Sequence, residues 1–151
     1  MLTRFALACA AAILAMLTVG HAGANDRYDV QKVVYHINQN GGEDSKYYKG
    51  ALRNVQNHIN AVGRDKIEVK VVMHGNGVEL LRAAKTDQAL QSEVTSLKTQ
   101  NVTFLVCNNT LQGRDINPET DLFEVFEDEI VPSGVAELSH LQQQGYTYVK
   151  P

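Results

Sequence analysis

Cysteine is scarce in this chain. Of 151 residues only Cys9 and Cys107 carry a thiol, and Cys9 lies in an N-terminal apolar run. A lone cysteine beyond that run makes no intramolecular bridge, so a disulfide-stapled fold is excluded and the thiol is buried and inert, paired between chains, or reactive. Basic charge is scarce too. Setting aside Arg4, the 14 lysines and arginines become 13 against 17 acidic residues over positions 25–151, a net charge of −4. Nucleic acid as a partner is excluded on this ground, since it calls for a clustered basic surface. Metal-ligand spacing is missing, because one cysteine and scattered histidines lack the tight pairs of a structural zinc site, so no metal or other cofactor is expected. No glycine/serine linker, repeat or low-complexity tract breaks residues 25–151, which suit one domain.

The N-terminus has the form of a targeting segment. A short basic start ending at Arg4 precedes "FALACAAAILAMLTVG", which has no charge, and "HAGA" places Ala22 and Ala24 at the −3 and −1 positions of an A-x-A cleavage site. The apolar stretch falls short of the ~20 residues of a membrane span. The expectation is a signal peptide over 1–24, a mature domain over 25–151 in the periplasm, and no membrane association after cleavage.

Strand and helix patterns then alternate. "VQKVVYHI" (30–37), "IEVKVVMHG" (67–75), "VTFLVC" (102–107), "EIVP" (129–132) and "YTYVK" (146–150) read as strands. Tyr48, Ala51, Leu52, Val55, Ile59 and Val62 recur at helical spacing, with Asp44 or Ser45 as a cap and Gly63 as a stop. "GNGVELLRAA" opens a further helical turn, and Leu90, Val94 and Leu97 mark another helix. Asn117–Pro118 predicts a helix carrying Leu122, Val125 and Phe126. Ser133 predicts the cap of one whose Val135, Leu138 and Leu141 face inward, ending at Gly145. This alternation predicts an α/β fold with a parallel sheet covered by helices on both faces.

In such sheets ligands sit beyond the carboxyl ends of the strands. The first three strands end there in "HINQNGG", "HGNG" and "CNNT", which nominates His36, Asn38, His74, Gly75, Asn76, Gly77, Cys107 and Asn108. A thiol beside a helix amino terminus loses its proton more easily, and the thiolate is the form that attacks disulfides or carries sulfur. The plain alternative for Cys107 is a buried small hydrophobe. A strand-end histidine serves as donor, acid or base near neutral pH, or simply bonds a loop carbonyl. "HGNGVELL" has backbone amides for an anion, although it is neither a dinucleotide nor a P-loop fingerprint.

"IEVKVVMHGNGVELL", "VTFLVCNNTL" and "VPSGVAELSHLQQQGYTYVKP" together resemble the DsrE/DsrF-like family of sulfur-oxidation and sulfur-relay proteins, in the subgroup usually labelled intracellular sulfur oxidation proteins, over residues 30–151. The resemblance implies a three-layer α/β/α domain with a five-stranded mostly parallel sheet, assembled as a homotrimer or homohexamer. Tyr146, Tyr148 and Phe123 add apolar surface that a small core need not absorb. In the family's sulfur carriers a cysteine after the third strand holds a persulfide, and Cys107 matches it. The export signal departs from the cytoplasmic relays, and "CNNT" departs from the small apolar residues that follow their cysteine. The resemblance implies sulfane sulfur carried on Cys107, with a small sulfur compound or a sulfur-donor or acceptor protein as partner. The rival reading is a non-catalytic oligomeric binding protein for a small anion, in which Cys107 only packs.

Overall fold

A computed structural model describes residues 27–151, so the signal-peptide reading of 1–24 falls outside the described residues. Five strands form one sheet: β1 (Gln31–Ile37), β2 (Ile67–Met73), β3 (Thr103–Cys107), β4 (Ile130–Val131) and β5 (Thr147–Val149). Their order is β4-β3-β2-β1-β5, and every pairing is parallel. The helices are α1 (Lys46–Val62), α2 (Glu79–Ala83), α3 (Gln88–Lys98), α4 (Asn108–Gly113), α5 (Pro118–Asp121) and α6 (Gly134–Gln143).

Strand alternation sorts the core into two layers. Val33, Tyr35, Ile37, Val69, Val71, Met73, Phe104 and Val106 pack with the apolar stripes of α1, α2 and α3. Val34, Val72 and Leu105 face the other way, against Leu138 and Leu141 of α6 and against Tyr146. Burial on both sides explains why the strands read as near-continuous apolar runs. The layers are unequal: among the described residues α6 is the helix that covers the second face. His36, His74 and Cys107 share the parity of Val34, Val72 and Leu105, so all three emerge on that thinly covered face.

Several local expectations need correction. The helix at Asn117–Pro118 is capped by the Asn117 side chain but lasts one turn. The Phe123 amide leaves the helical track to donate to the Leu81 carbonyl, and Glu124 turns the chain at φ 46°. Leu122 is buried beyond the helix end, while Phe126 is exposed, with the Lys98 ammonium 4.8 Å from its ring centre. Val135 points outward and is 64% exposed, because Gly134, Leu138 and Leu141 form the inward stripe and position 135 lies about 100° off it. Neither Asp44 nor Ser45 caps α1. Both are left-handed, and the Tyr47 amide donates instead to the Gly41 carbonyl at 2.8 Å. Gly63 does stop α1, at φ 101° with its amide on the Ile59 carbonyl. Tyr146 is buried and Phe123 packs partly buried against the core of the single chain, so of these three only Tyr148 is exposed.

Candidate functional site

The parallel register brings the carboxyl ends of all five strands to one edge. One residue beyond the Met73–Val106 pair, His74 and Cys107 stand side by side on β2 and β3. One beyond the Tyr35–Val149 pair, Lys150 stands beside His36. Across the α6 face this edge therefore reads Tyr148, His36, His74, Cys107 from β5 through β3.

Cys107 is the residue at which β3 becomes α4. It occupies the N-cap position with extended backbone angles, φ −72° and ψ 114°. The amides of Asn109 and Thr110 and the Thr110 hydroxyl lie close enough to favour its thiolate, although the side chain makes no capping hydrogen bond. From the opposite side comes the amide of Gly134, at the first position of α6, whose own start is capped by the Ser133 hydroxyl on Ala136 N. The amino ends of two helices thus meet at one sulfur. Burial pushes the thiol pKa up, but the four donors outweigh it and hold it below the ordinary cysteine value. The residue is 5% exposed.

Space is tight at Gly134. A β-carbon there would lie 3.0 Å from the His74 β-carbon and 3.2 Å from that of Cys107. Gly77 is tighter still, since a β-carbon would fall 1.9 Å from the Ile37 carbonyl oxygen, so the turn after β2 fits against the end of β1 only as glycine.

The two histidines meet each other. His36 Nε2 and His74 Nε2 are 2.7 Å apart, with rings stacked at 4.7 Å, and His36 Nδ1 is 2.7 Å from the Tyr148 hydroxyl. A hydrogen bond between two like nitrogens holds one proton, so both rings cannot be charged together. Burial, then Lys150, then His74 push the His36 pKa down to about 4. Burial and Lys150 lower that of His74. Both rings are neutral near pH 7.

The remaining nominated residues divide. Asn38 accepts from the Lys150 ammonium. Asn76 accepts from Arg114 at 2.8 Å through its side chain and from the Tyr48 hydroxyl at 2.6 Å through its carbonyl. The "HGNG" amides do not point at the sulfur: Gly75 N donates to Thr110 Oγ1 at 2.9 Å, and Gly77 N to the His74 carbonyl. Asn108 turns away and lines a separate open pocket of about 480 Å³ with Leu111, Asp115, Pro118 and Ile130. Gly134, Thr110, Tyr148 and Lys150 were not nominated from the sequence. The signal for two of them is the rule already applied to the first three strands, because Gly134 follows β4 and Lys150 follows β5 at the same edge. Among the described residues no group of three or more His, Cys, Asp or Glu converges as a metal site, and no helix is long and apolar enough to cross a membrane.

Residues 32–151 match the family model described as the DsrE/DsrF-like family. No curated protein matches the chain. Among solved structures, a protein of unknown function from Methanobacterium thermoautotrophicum, MTH1491, is similar at 28% identity and TM-score 0.66, over 80% of this chain and 99% of that one. The ychN protein of E. coli shares the fold at 17% identity and TM-score 0.58, over 81% of this chain and 100% of its own.

Proposed function

We propose that this chain, which belongs to the DsrE/DsrF-like family, is a periplasmic sulfur-handling protein that carries sulfane sulfur as a persulfide on Cys107. The observation that carries the reading is the position of Cys107 at the amino end of α4 and against Gly134 at the amino end of α6, where the neighbouring amides and the Thr110 hydroxyl hold its thiol pKa below the ordinary value. Such a setting favours an anion there, and a thiolate or a persulfide is such an anion. The thiolate attacks the sulfane sulfur of a donor, the bond from that sulfur to its leaving group breaks with the electron pair, and Cys107 retains the added sulfur for an acceptor. His36, Asn38, His74 and Asn76 are the binding residues proposed at the same edge, with Asn38 and Asn76 held by Lys150 and Arg114. The periplasmic placement rests on the sequence pattern of residues 1–24.

The slight exposure of Cys107 favours the second reading, a binding protein for a small anion in which the thiol is only packed. A pH series of alkylation rates on the folded protein separates the two. A carrier gives a midpoint below the ~8.5 of free cysteine. A shielded thiol gives slow alkylation with a midpoint above it, and that result removes the carrier reading.

A further inference from the structure

The carboxyl ends of β1 and β2 hold a pair of nitrogens that the attack of Cys107 on sulfur does not use. His36 Nε2 and His74 Nε2 lie 2.7 Å apart, while their ring centres are 4.7 Å apart. The nitrogens are therefore the nearest parts of the two rings, and each Nε2 is turned toward the other. A neutral imidazole nitrogen without a hydrogen carries its lone pair in that direction, so both lone pairs aim at one gap. We infer that His36 and His74 form a two-coordinate site for a soft monovalent metal ion of the Cu(I) type.

Each ring has a way to present that lone pair. His36 Nδ1 is 2.7 Å from the Tyr148 hydroxyl. With Nδ1–H donating to that oxygen, Nε2 is the bare nitrogen, and this is the outer contact by which metal-bound histidines fix their tautomer and ring orientation. His74 Nδ1 makes no hydrogen bond among the described residues. The hydrogen now shared between the two Nε2 atoms therefore has a place to go, since moving it to His74 Nδ1 bares the second lone pair. No proton leaves the site, and both ligands stay neutral.

The number and charge of the surrounding groups select the ion. Zinc takes four ligands, and among the described residues no group of three or more His, Cys, Asp or Glu converges as a metal site. Lys150, beside His36, disfavours positive charge on both rings. A dication meets twice the repulsion that a monocation does. Imidazole suits copper, and a closed-shell monovalent ion is satisfied by two opposed donors. With metal–nitrogen bonds of about 2.0 Å, the length imidazole makes to zinc, the two nitrogens part to about 4 Å. Tyr148 lies on the edge strand and is 40% exposed, which leaves His36 and its oxygen partner room to shift outward together.

The inference stands apart from the carrier reading, and its test uses Cys107→Ser, which has no thiol to compete for the ion and can carry no sulfur. The mature protein with that substitution is titrated anaerobically into Cu(I) held by the coloured chelator bicinchoninate, and the fall in absorbance counts the ions transferred. Each chain should take up one ion. His36→Gln and His74→Gln, each added to Cys107→Ser, should take up none, with urea unfolding midpoints showing that both variants are folded. Tyr148→Phe on the same background should weaken the site by about 10–100-fold, the usual effect of losing the outer partner of a metal-bound histidine. Uptake that is equal with and without the two histidines overturns the site, and so does an absence of uptake by Cys107→Ser. Displacement of the bound Cu(I) by an equal concentration of Zn(II) overturns the choice of a monovalent ion.

Discussion

The amide of Gly134 favours the Cys107 thiolate while its missing side chain lets α6 approach to where a β-carbon would stand 3.2 Å from that of Cys107. One residue thus supplies both a donor and the space that the donor needs. Replacement by alanine retains the amide but forces α6 away from β2 and β3. Overpacking of this kind costs about 1–3 kcal/mol, so the Gly134→Ala denaturation midpoint should fall. The Cys107 titration midpoint should rise, because the displaced amide no longer reaches the sulfur. An unchanged midpoint would show that Gly134 matters for packing alone.

Thr110 accepts from the Gly75 amide at 2.9 Å, and its hydroxyl favours the Cys107 thiolate. Valine is its apolar near-isostere, so Thr110→Val removes the hydroxyl from beside the sulfur and leaves the Gly75 amide without its acceptor. Thiolate absorbance against pH should therefore shift its midpoint upward, and an unmoved midpoint would show that Thr110 does not act on the sulfur.

Cys107→Ser retains the size and position of the side chain among the same donors. Folding stability near pH 7 should change by less than about 1.5 kcal/mol, the net worth of an ordinary hydrogen bond. Sulfur loading should vanish. A larger stability loss by urea unfolding would identify an apolar packing site, where a hydroxyl is costly.

Burial of His36, with Lys150 and His74 beside it, makes stability depend on acid. His36 falls from 6.5 in the unfolded chain to about 4 in the folded one, so the unfolded chain binds more protons between those values. Stability therefore rises with pH across that window and declines as pH drops from 6.5 toward 4. The effect is at most about 3 kcal/mol before solvent screening reduces it. Unfolding free energy measured across this range should slope upward for wild type and flatten in His36→Gln.

The parallel sheet, the order of its helices and the placing of Cys107 at a strand end were legible in the sequence, because apolar periodicity and polar breaks record which residues face the core. The α1 stripe from Tyr48 to Val62 is the clearest case. Contacts made across the chain were not legible. Nothing local to "SGV" says that Gly134 will lie against His74, and nothing near Tyr148 says that it will reach His36, 112 positions away. The one-turn α5 was missed for a related reason. Its cap and proline are local signals, but the Leu81 carbonyl that draws Phe123 off the helix is not.

Assembly as a homotrimer or homohexamer remains a proposal, for which the exposed Tyr148 and Val135 on the thinly covered face offer apolar surface. Light scattering of the mature protein at micromolar concentration should give a mass of three or six chains. A monomer would leave that face to another partner.

The most direct measurement is the intact mass of the mature protein purified without reductant and then exposed to thiosulfate or polysulfide. The account predicts added sulfur on wild type, its removal by a thiol reductant, and its absence from Cys107→Ser. An unmodified mass for wild type, or equal sulfur on both proteins, would contradict it.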